Sequence, residues 1–232
     1  MKKIGFVGAY DKTDIIIQIA KILAAMKQKV IVIDSSINQK AKYIVPVINP
    51  TKTYITSFED FDVAVGFENF EEIKHYMGLN DEANLEYDIA LIDIDASKVF
   101  ENFKMQEAEV NYFATSFDLF SLKKGLEILS GLTEKIKLTK ILFAKTIDEQ
   151  ENEYLDFLSL GQKIVWDEQR IYFLFDLEDQ SAIINNQKVA KISLRNLSQT
   201  YKNNLTTIAQ QIINDVGINE IKRVIKKLEK GE

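Results

Sequence analysis

Residues 4 to 36 read IGFVGAYDKTDIIIQIAKILAAMKQKVIVIDSS, and the order of residue types in this stretch decides the fold. IGFVG (4 to 8) and VIVID (30 to 34) are short and apolar on both faces, the pattern of strands buried inside a parallel sheet. Between them, Thr13 to Met26 carries apolar residues at helical spacing. A parallel strand pair needs a crossover of a dozen or more residues, which such a helix supplies. The alternation continues outward, with strand-like runs at DVAVGF (62 to 67), IALIDID (89 to 95), VNYFATS (110 to 116), ILFAKT (141 to 146) and IYFLFDL (171 to 177). Helical segments lie at Glu68 to Met77, Phe117 to Leu129 and Glu149 to Leu158, and from Leu197 onward. Right-handed crossovers put helices on both faces. The expectation is therefore an α/β fold: a doubly wound, mostly parallel sheet of about seven strands, forming one domain over residues 1–232. The stretch from Asn38 to Phe61, which contains both prolines, Pro46 and Pro50, reads as extra strands or an irregular excursion.

Composition narrows the chemistry. The chain has 232 residues, of which 46% are hydrophobic and 28% charged, as in ordinary globular proteins. With 29 Lys and Arg against 35 Asp and Glu, the formal charge is −6, so there is no global basic field and no nucleic-acid signature. The absence of cysteine excludes disulfides, thiolate metal sites and thiol nucleophiles, and the single His75 excludes a His-rich metal site. The apolar run in MKKIGFVGAY is broken too early, by Gly8, Tyr10 and Asp11, for a signal peptide. No apolar run reaches the roughly 18 residues of a spanning helix, and the expected location is cytoplasmic.

The loop GAYDKTD (8 to 14) follows the first strand and opens the first helix. In such a turn, backbone N–H groups and the positive helix end face an anion. Lys12 is placed to reach a β- or γ-phosphate and the Thr13 hydroxyl to hold magnesium. The generic Walker pattern brackets four residues with glycines ahead of Lys-Ser/Thr, whereas here Gly8 stands four residues before Lys12 and Asp11 precedes the lysine. A carboxylate at that place brings bulk and negative charge, and pairing of Asp11 with Lys12 would silence the lysine.

These residues resemble the MinD/ParA-like P-loop ATPases, whose deviant Walker loop reads KGGxGKTT. On that pattern Val7 replaces the signature lysine, Gly8 matches, Ala9 and Asp11 replace glycines, Lys12 and Thr13 match, and Asp14 replaces the last threonine. IAKILAAMKQKVIVID resembles the family's following helix and strand, ending at Asp34, with Ser36 where a second acid completes a DxD pair. YDIALID (87 to 93) is similar to the Walker B strand, with Asp93 where magnesium is supported through water. VNYFATSFDLFSLKKGLEIL (110 to 129) resembles the strand and helix that follow. Ala144, Lys145 and Thr146 stand where an adenine-contacting asparagine is common, and FDLEDQSAIINNQ (175 to 187) resembles the closing loop.

The resemblance implies ATP and magnesium as ligands. It assigns binding to Gly8, Ala9, Tyr10, Asp11, Lys12, Thr13, Asp14, Asp34 and Asp93, and metal contact to Thr13 and, through water, Asp93. It also implies protein partners and a face-to-face homodimer, which the loss of the lysine at Val7 weakens. Pilus-assembly localisers of the CpaE type are a neighbouring branch. Three roles stay open: a degenerate, weakly or non-hydrolysing positioning, assembly or regulatory module; an active ATPase with a variant loop in partitioning, pilus assembly or transport; and a nucleotide-free scaffold.

Other residues read structurally. Asp93 and Asp95 are expected as strand-end aspartates in solvent or capping a helix at Ser97; His75 as a residue of a helix end; Phe113, Phe117 and Phe120 as core. In residues 218–232, Ile218, Ile221, Val224, Ile225 and Leu228 share one helical face and Lys222, Arg223, Lys226, Lys227 and Lys230 make the rest basic. Packing on its own domain or a partner is the commoner use of such a helix; contact with an anionic membrane surface is the alternative.

Overall fold

A computed structural model of the chain describes residues 1–48, 51–80 and 82–231, so Pro50 lies outside the described residues. Strand β1 (Lys2–Val7) leads through the glycine-bearing loop into α1 (Thr13–Ala25) and back to β2 (Val30–Asp34). The elements that follow are α2 (Ala41–Ile44), β3 (Tyr54–Phe58), β4 (Phe61–Val65), α3 (Phe70–Tyr76), β5 (Ile89–Ile94), α4 (Ser97–Asn102) and a 3-10 turn at Met105–Glu107. The second half comprises β6 (Val110–Ser116), α5 (Leu119–Ile128), β7 (Ile136–Ala144), α6 (Glu149–Leu158), β8 (Ile164–Leu174), α7 (Leu177–Val189), α8 (Gln199–Ile212) and α9 (Ile218–Lys230).

Among the described residues eight strands form one sheet in the order β3-β4-β2-β5-β1-β6-β7-β8. Every pairing is parallel except β3 with β4. The sheet thus has one strand more than the expected seven, an antiparallel edge strand inside the stretch read as ambiguous. Each face is a separate apolar layer. Ile15, Ile16, Ile19, Ile22 and Leu23 of α1 pack with Leu205, Ile208 and Ile212 of α8 and Ile221 of α9 on one side. Ile73, Phe100, Leu122, Leu126 and Leu155 of α3 to α6 cover the other. Burying each such side chain contributes about 1.5–3 kcal/mol.

The apolar face expected in the last helix is turned inward in part: Ile221 is fully buried and Ile225 nearly so, Val224 and Leu228 are half-buried, and Ile218 is exposed, while Lys222, Arg223, Lys226, Lys227 and Lys230 face outward. No helix among the described residues is long and apolar enough to cross a membrane.

Candidate functional site

β1 lies between β5 and β6, and the chain leaves it toward β2 on one side while β5 passes to β6 on the other. This is the switch point of a doubly wound sheet, where ligands collect beyond the strand carboxyl ends. The loop after β1 sits there. Gly8 has φ +144°, and a Cβ on it would lie 2.1 Å from the carbonyl oxygen of Ala114 in β6, so both conformation and space demand glycine. Its N–H donates to the Ile94 carbonyl at 3.0 Å, which docks the loop on β5.

A cavity of about 410 Å³ opens over this rim. The loop from Gly8 to Thr13 lines it together with Asp93 and Asp95, and the segment after β2 adds Ser36, Asn38, Lys40 and Tyr43. Of the residues singled out in sequence, Gly8, Ala9, Tyr10, Asp11, Lys12, Thr13 and Asp93 are thus brought together. Asp14 and Asp34 are not among its walls.

Lys12 is only 4% exposed and turns inward. Its Nζ donates to the Gly8 carbonyl at 2.9 Å and lies 2.6 Å from Asp93 Oδ1. Thr13 Oγ1 donates to Asp93 Oδ2 at 3.1 Å. The ammonium is thus the partner of Asp93 Oδ1. The expected pairing of Asp11 with Lys12 is therefore corrected: the buried acid beneath the loop captures the lysine. Asp11 instead accepts from the Thr13 N–H at 3.2 Å and pairs with Lys40 Nζ at 2.5 Å.

Lys40 also meets Asp14 Oδ2 at 2.5 Å, and the Gln187 amide donates to both Asp14 oxygens at 2.8 and 3.0 Å. Burial alone would lower the Lys40 pKa, but Asp14 and Asp11 outweigh it and hold its proton more firmly than in free lysine. Asp14 faces a second cavity of about 230 Å³ with Tyr10, Phe143, Phe175, Asp176 and Tyr201. Tyr10, Asp11 and Lys12 line both cavities, and the Tyr10 ring centre lies 4.5 Å from that of Phe143.

Asp34 is fully buried and organises the segment that carries Lys40. Its carboxylate accepts from the Ser36 N–H at 3.1 Å, the Ser36 hydroxyl at 2.6 Å and the Ala41 N–H at 2.8 Å. Burial, and then the neighbouring Asp93, push its pKa up to about 6 against these three donors. Ser36, at the second acidic place of the family pattern, is used locally. Val7, at the place of the signature lysine, is wholly buried in the core.

The strand-end reading of the paired aspartates is also corrected. Asp93 is 2% exposed, and Asp95 accepts from the Ile37 N–H at 2.9 and 3.0 Å rather than capping α4, whose first residue has no side-chain cap. Burial raises the Asp95 pKa, opposed chiefly by that N–H. Phe113 is core as expected, whereas Phe120 is 69% exposed. His75 is exposed in the last turn of α3. Lys40, Asn38 and Tyr43 were missed in the sequence, because the stretch that carries them has no periodicity and matches no part of the family pattern.

No protein-family model matches the sequence, and no curated protein matches it either. Solved structures do. A plasmid partition protein of Borrelia burgdorferi B31 bound to AMPPNP superposes with a TM-score of 0.61 at 14% identity, covering 93% of this chain and 99% of that one. The MinC:MinD cell division protein complex of Aquifex aeolicus gives 0.60 at 12% identity, over 94% and 97%. A ParA family ATPase from Chlorobium tepidum TLS gives 0.57 at 14% identity, over 91% and 97%. The chain thus has the fold of the ParA and MinD ATPases, over nearly its whole length.

Proposed function

We propose that this chain is a MinD/ParA-like P-loop protein with a degenerate nucleotide site, working as a positioning, assembly or regulatory module with weak or lost ATP hydrolysis. The observation that carries this reading is the inward turn of Lys12 onto Asp93 and the Gly8 carbonyl. Phosphoryl transfer is accelerated almost wholly by charge aimed at the phosphate and the attacking water. Here the loop lysine is committed to a buried acid, Val7 brings no second cation, and the Ser36 hydroxyl is spent on Asp34.

ATP with magnesium nevertheless fits the residues present. The turn from Gly8 to Thr13 lines the cavity at the start of α1, where backbone N–H groups favour an anion. Thr13 Oγ1 and the Asp93 carboxylate are adjacent hard oxygens, with the Lys12 ammonium beside Asp93 Oδ1. Among the described residues no group of three or more acidic or His side chains is arranged to hold a metal unaided, so magnesium would need phosphate oxygens as well. Gly8 to Thr13 are proposed to surround the phosphates, with Thr13 and, through water, Asp93 at the metal, whereas Asp14 lines the neighbouring cavity; bound magnesium would neutralise phosphate charge. Asp34 acts from beneath by shaping the wall. Protein partners are proposed on the precedent of the MinC:MinD assembly. A nucleotide-bridged homodimer loses support, since Val7 offers nothing to a second copy.

The adjacency of Thr13 and Asp93 also favours the rival reading of an active ATPase. Turnover of magnesium-ATP separates the two. The proposal expects saturable binding at millimolar nucleotide without phosphate release above background; release that Lys12→Met and Thr13→Ala both abolish makes the chain an ATPase. No binding at all leaves a nucleotide-free scaffold.

A further inference from the structure

Helices α6 and α9 present complementary outer faces. In α9, Lys222, Arg223, Lys226, Lys227 and Lys230 are exposed, and among the described residues the helix enters one ion pair, from Glu229 to Lys202 of α8. Five cations thus go unmatched in a chain that carries 35 acids against 29 bases. In α6 the imbalance is reversed. Residues 148–156 hold Asp148, Glu149, Glu151, Glu153 and Asp156 and no Lys or Arg. Arg170 takes Glu149 and Lys140 takes Asp156, which leaves Glu151 and Glu153 without a cation among the described residues. Beside these acids the same helix exposes an apolar ridge. The Tyr154 and Phe157 rings stack with centres 6.5 Å apart, and Phe157 and Leu160 are 63% and 73% exposed.

Aromatic rings rimmed by carboxylates attract ammonium and guanidinium groups, whose aliphatic stems cover the apolar part. The basic face of α9 supplies both. The two helices cannot meet within one molecule, however. Leu155 of α6 belongs to the apolar layer on one side of the sheet, and Ile221 and Ile225 of α9 to the layer on the other. The complement of each face therefore lies on a second copy of the chain.

We propose that the basic face of α9 in one copy docks on the acidic, aromatic face of α6 in the next. The contact is heterologous: each copy offers one surface of each kind, so the assembly grows head-to-tail instead of closing as a face-to-face pair. Opposite charge sets the orientation and the register, and the exposed aromatic ridge is the apolar centre of the contact. The contact uses neither the turn from Gly8 to Thr13 nor Val7. It goes beyond the proposed function and requires no nucleotide.

Sedimentation velocity of the full chain, without nucleotide, at about 20 mM and about 500 mM salt tests this. The parent is expected to associate with rising concentration at low salt, and at least about tenfold more weakly at high salt, where the charges are screened. Glu151→Lys with Glu153→Lys, and separately Arg223→Glu with Lys227→Glu, should each sediment as a monomer, with circular dichroism confirming the fold. An equimolar mixture of the two variants should associate again, because the unaltered α9 of the first docks on the unaltered α6 of the second. A parent that stays monomeric at low salt up to its solubility limit overturns the inference. Folded variants that assemble as the parent does, or a mixture that stays monomeric, overturn it equally. A monomeric parent that binds a lysine-rich peptide through Glu151 and Glu153 gives the α6 face to a basic partner, and that result also overturns docking between copies.

Discussion

Replacing Lys12 by alanine tests the site through stability rather than activity. The lysine and Asp93 side chains are each only 3% exposed, and their charged atoms lie 2.6 Å apart. Removing one partner of a buried pair leaves the other charge in a low-dielectric site, which costs about 3–5 kcal/mol. Asp93 retains the Thr13 hydroxyl but no cation, and Asp34 pairs alongside it in the sheet register. For a chain of this length each kcal/mol shifts the melting temperature by about 2–4 °C, so Lys12→Ala should melt about 6–20 °C below the parent. Removing both charges together, as Lys12→Met with Asp93→Asn, should recover most of the loss, because replacing a buried pair by uncharged groups is often neutral. Differential scanning calorimetry of the three proteins, without nucleotide, measures both effects. A Lys12→Ala protein melting within about 2 °C of the parent refutes the inward lysine, because a side chain waiting in solvent for a ligand has little to lose.

Gly8→Ala should cost at least about 2–3 kcal/mol in urea unfolding, from left-handed strain and the approach to the Ala114 carbonyl; a cost below about 1 kcal/mol would place that carbonyl elsewhere. Asp34 should titrate near pH 6 by carboxyl NMR. Because its folded pKa lies above the unfolded value, the folded state gains stability from its protonation at low pH. That contribution is lost as pH rises from about 4 to about 6, a change of about 3 kcal/mol. Asp34→Asn should remove this part of the pH dependence, and an Asp34 midpoint below pH 4.5 would contradict the assignment. Ile221→Ala should destabilise the chain by about 2–4 kcal/mol, since that residue is fully buried between α9 and the domain; an unchanged urea midpoint would mean that α9 is free for a membrane.

The parallel core was legible because buried strands leave runs such as VIVID and IALIDI, and α1 announces itself by isoleucines at helical spacing. The hairpin joining β3 to β4 was not, because Glu59 and Asp60 take positive φ of 51° and 70° where Asn or Gly would have signalled a turn. Helix α7 was read as part of a closing loop. It buries only Asp179 and Ala182, so no apolar stripe marks it, although Asp176 caps it in the usual way. At the site, local sequence identified the loop and Asp93 but assigned Asp11 to its neighbour Lys12. Sequence adjacency hid two longer-range partners, Lys12 with Asp93 across the sheet and Asp11 with Lys40 from the next segment.

The central claim is that the turn from Gly8 to Thr13 is a phosphate-binding loop whose charges are presently satisfied from within. A crystal structure grown with ATP and magnesium addresses it most directly. The account expects triphosphate against the backbone of that turn, with Lys12 withdrawn from Asp93 and Asp11 displaced from the Thr13 N–H. Nucleotide bound at any other place, or a turn unchanged at saturating ATP, would contradict it.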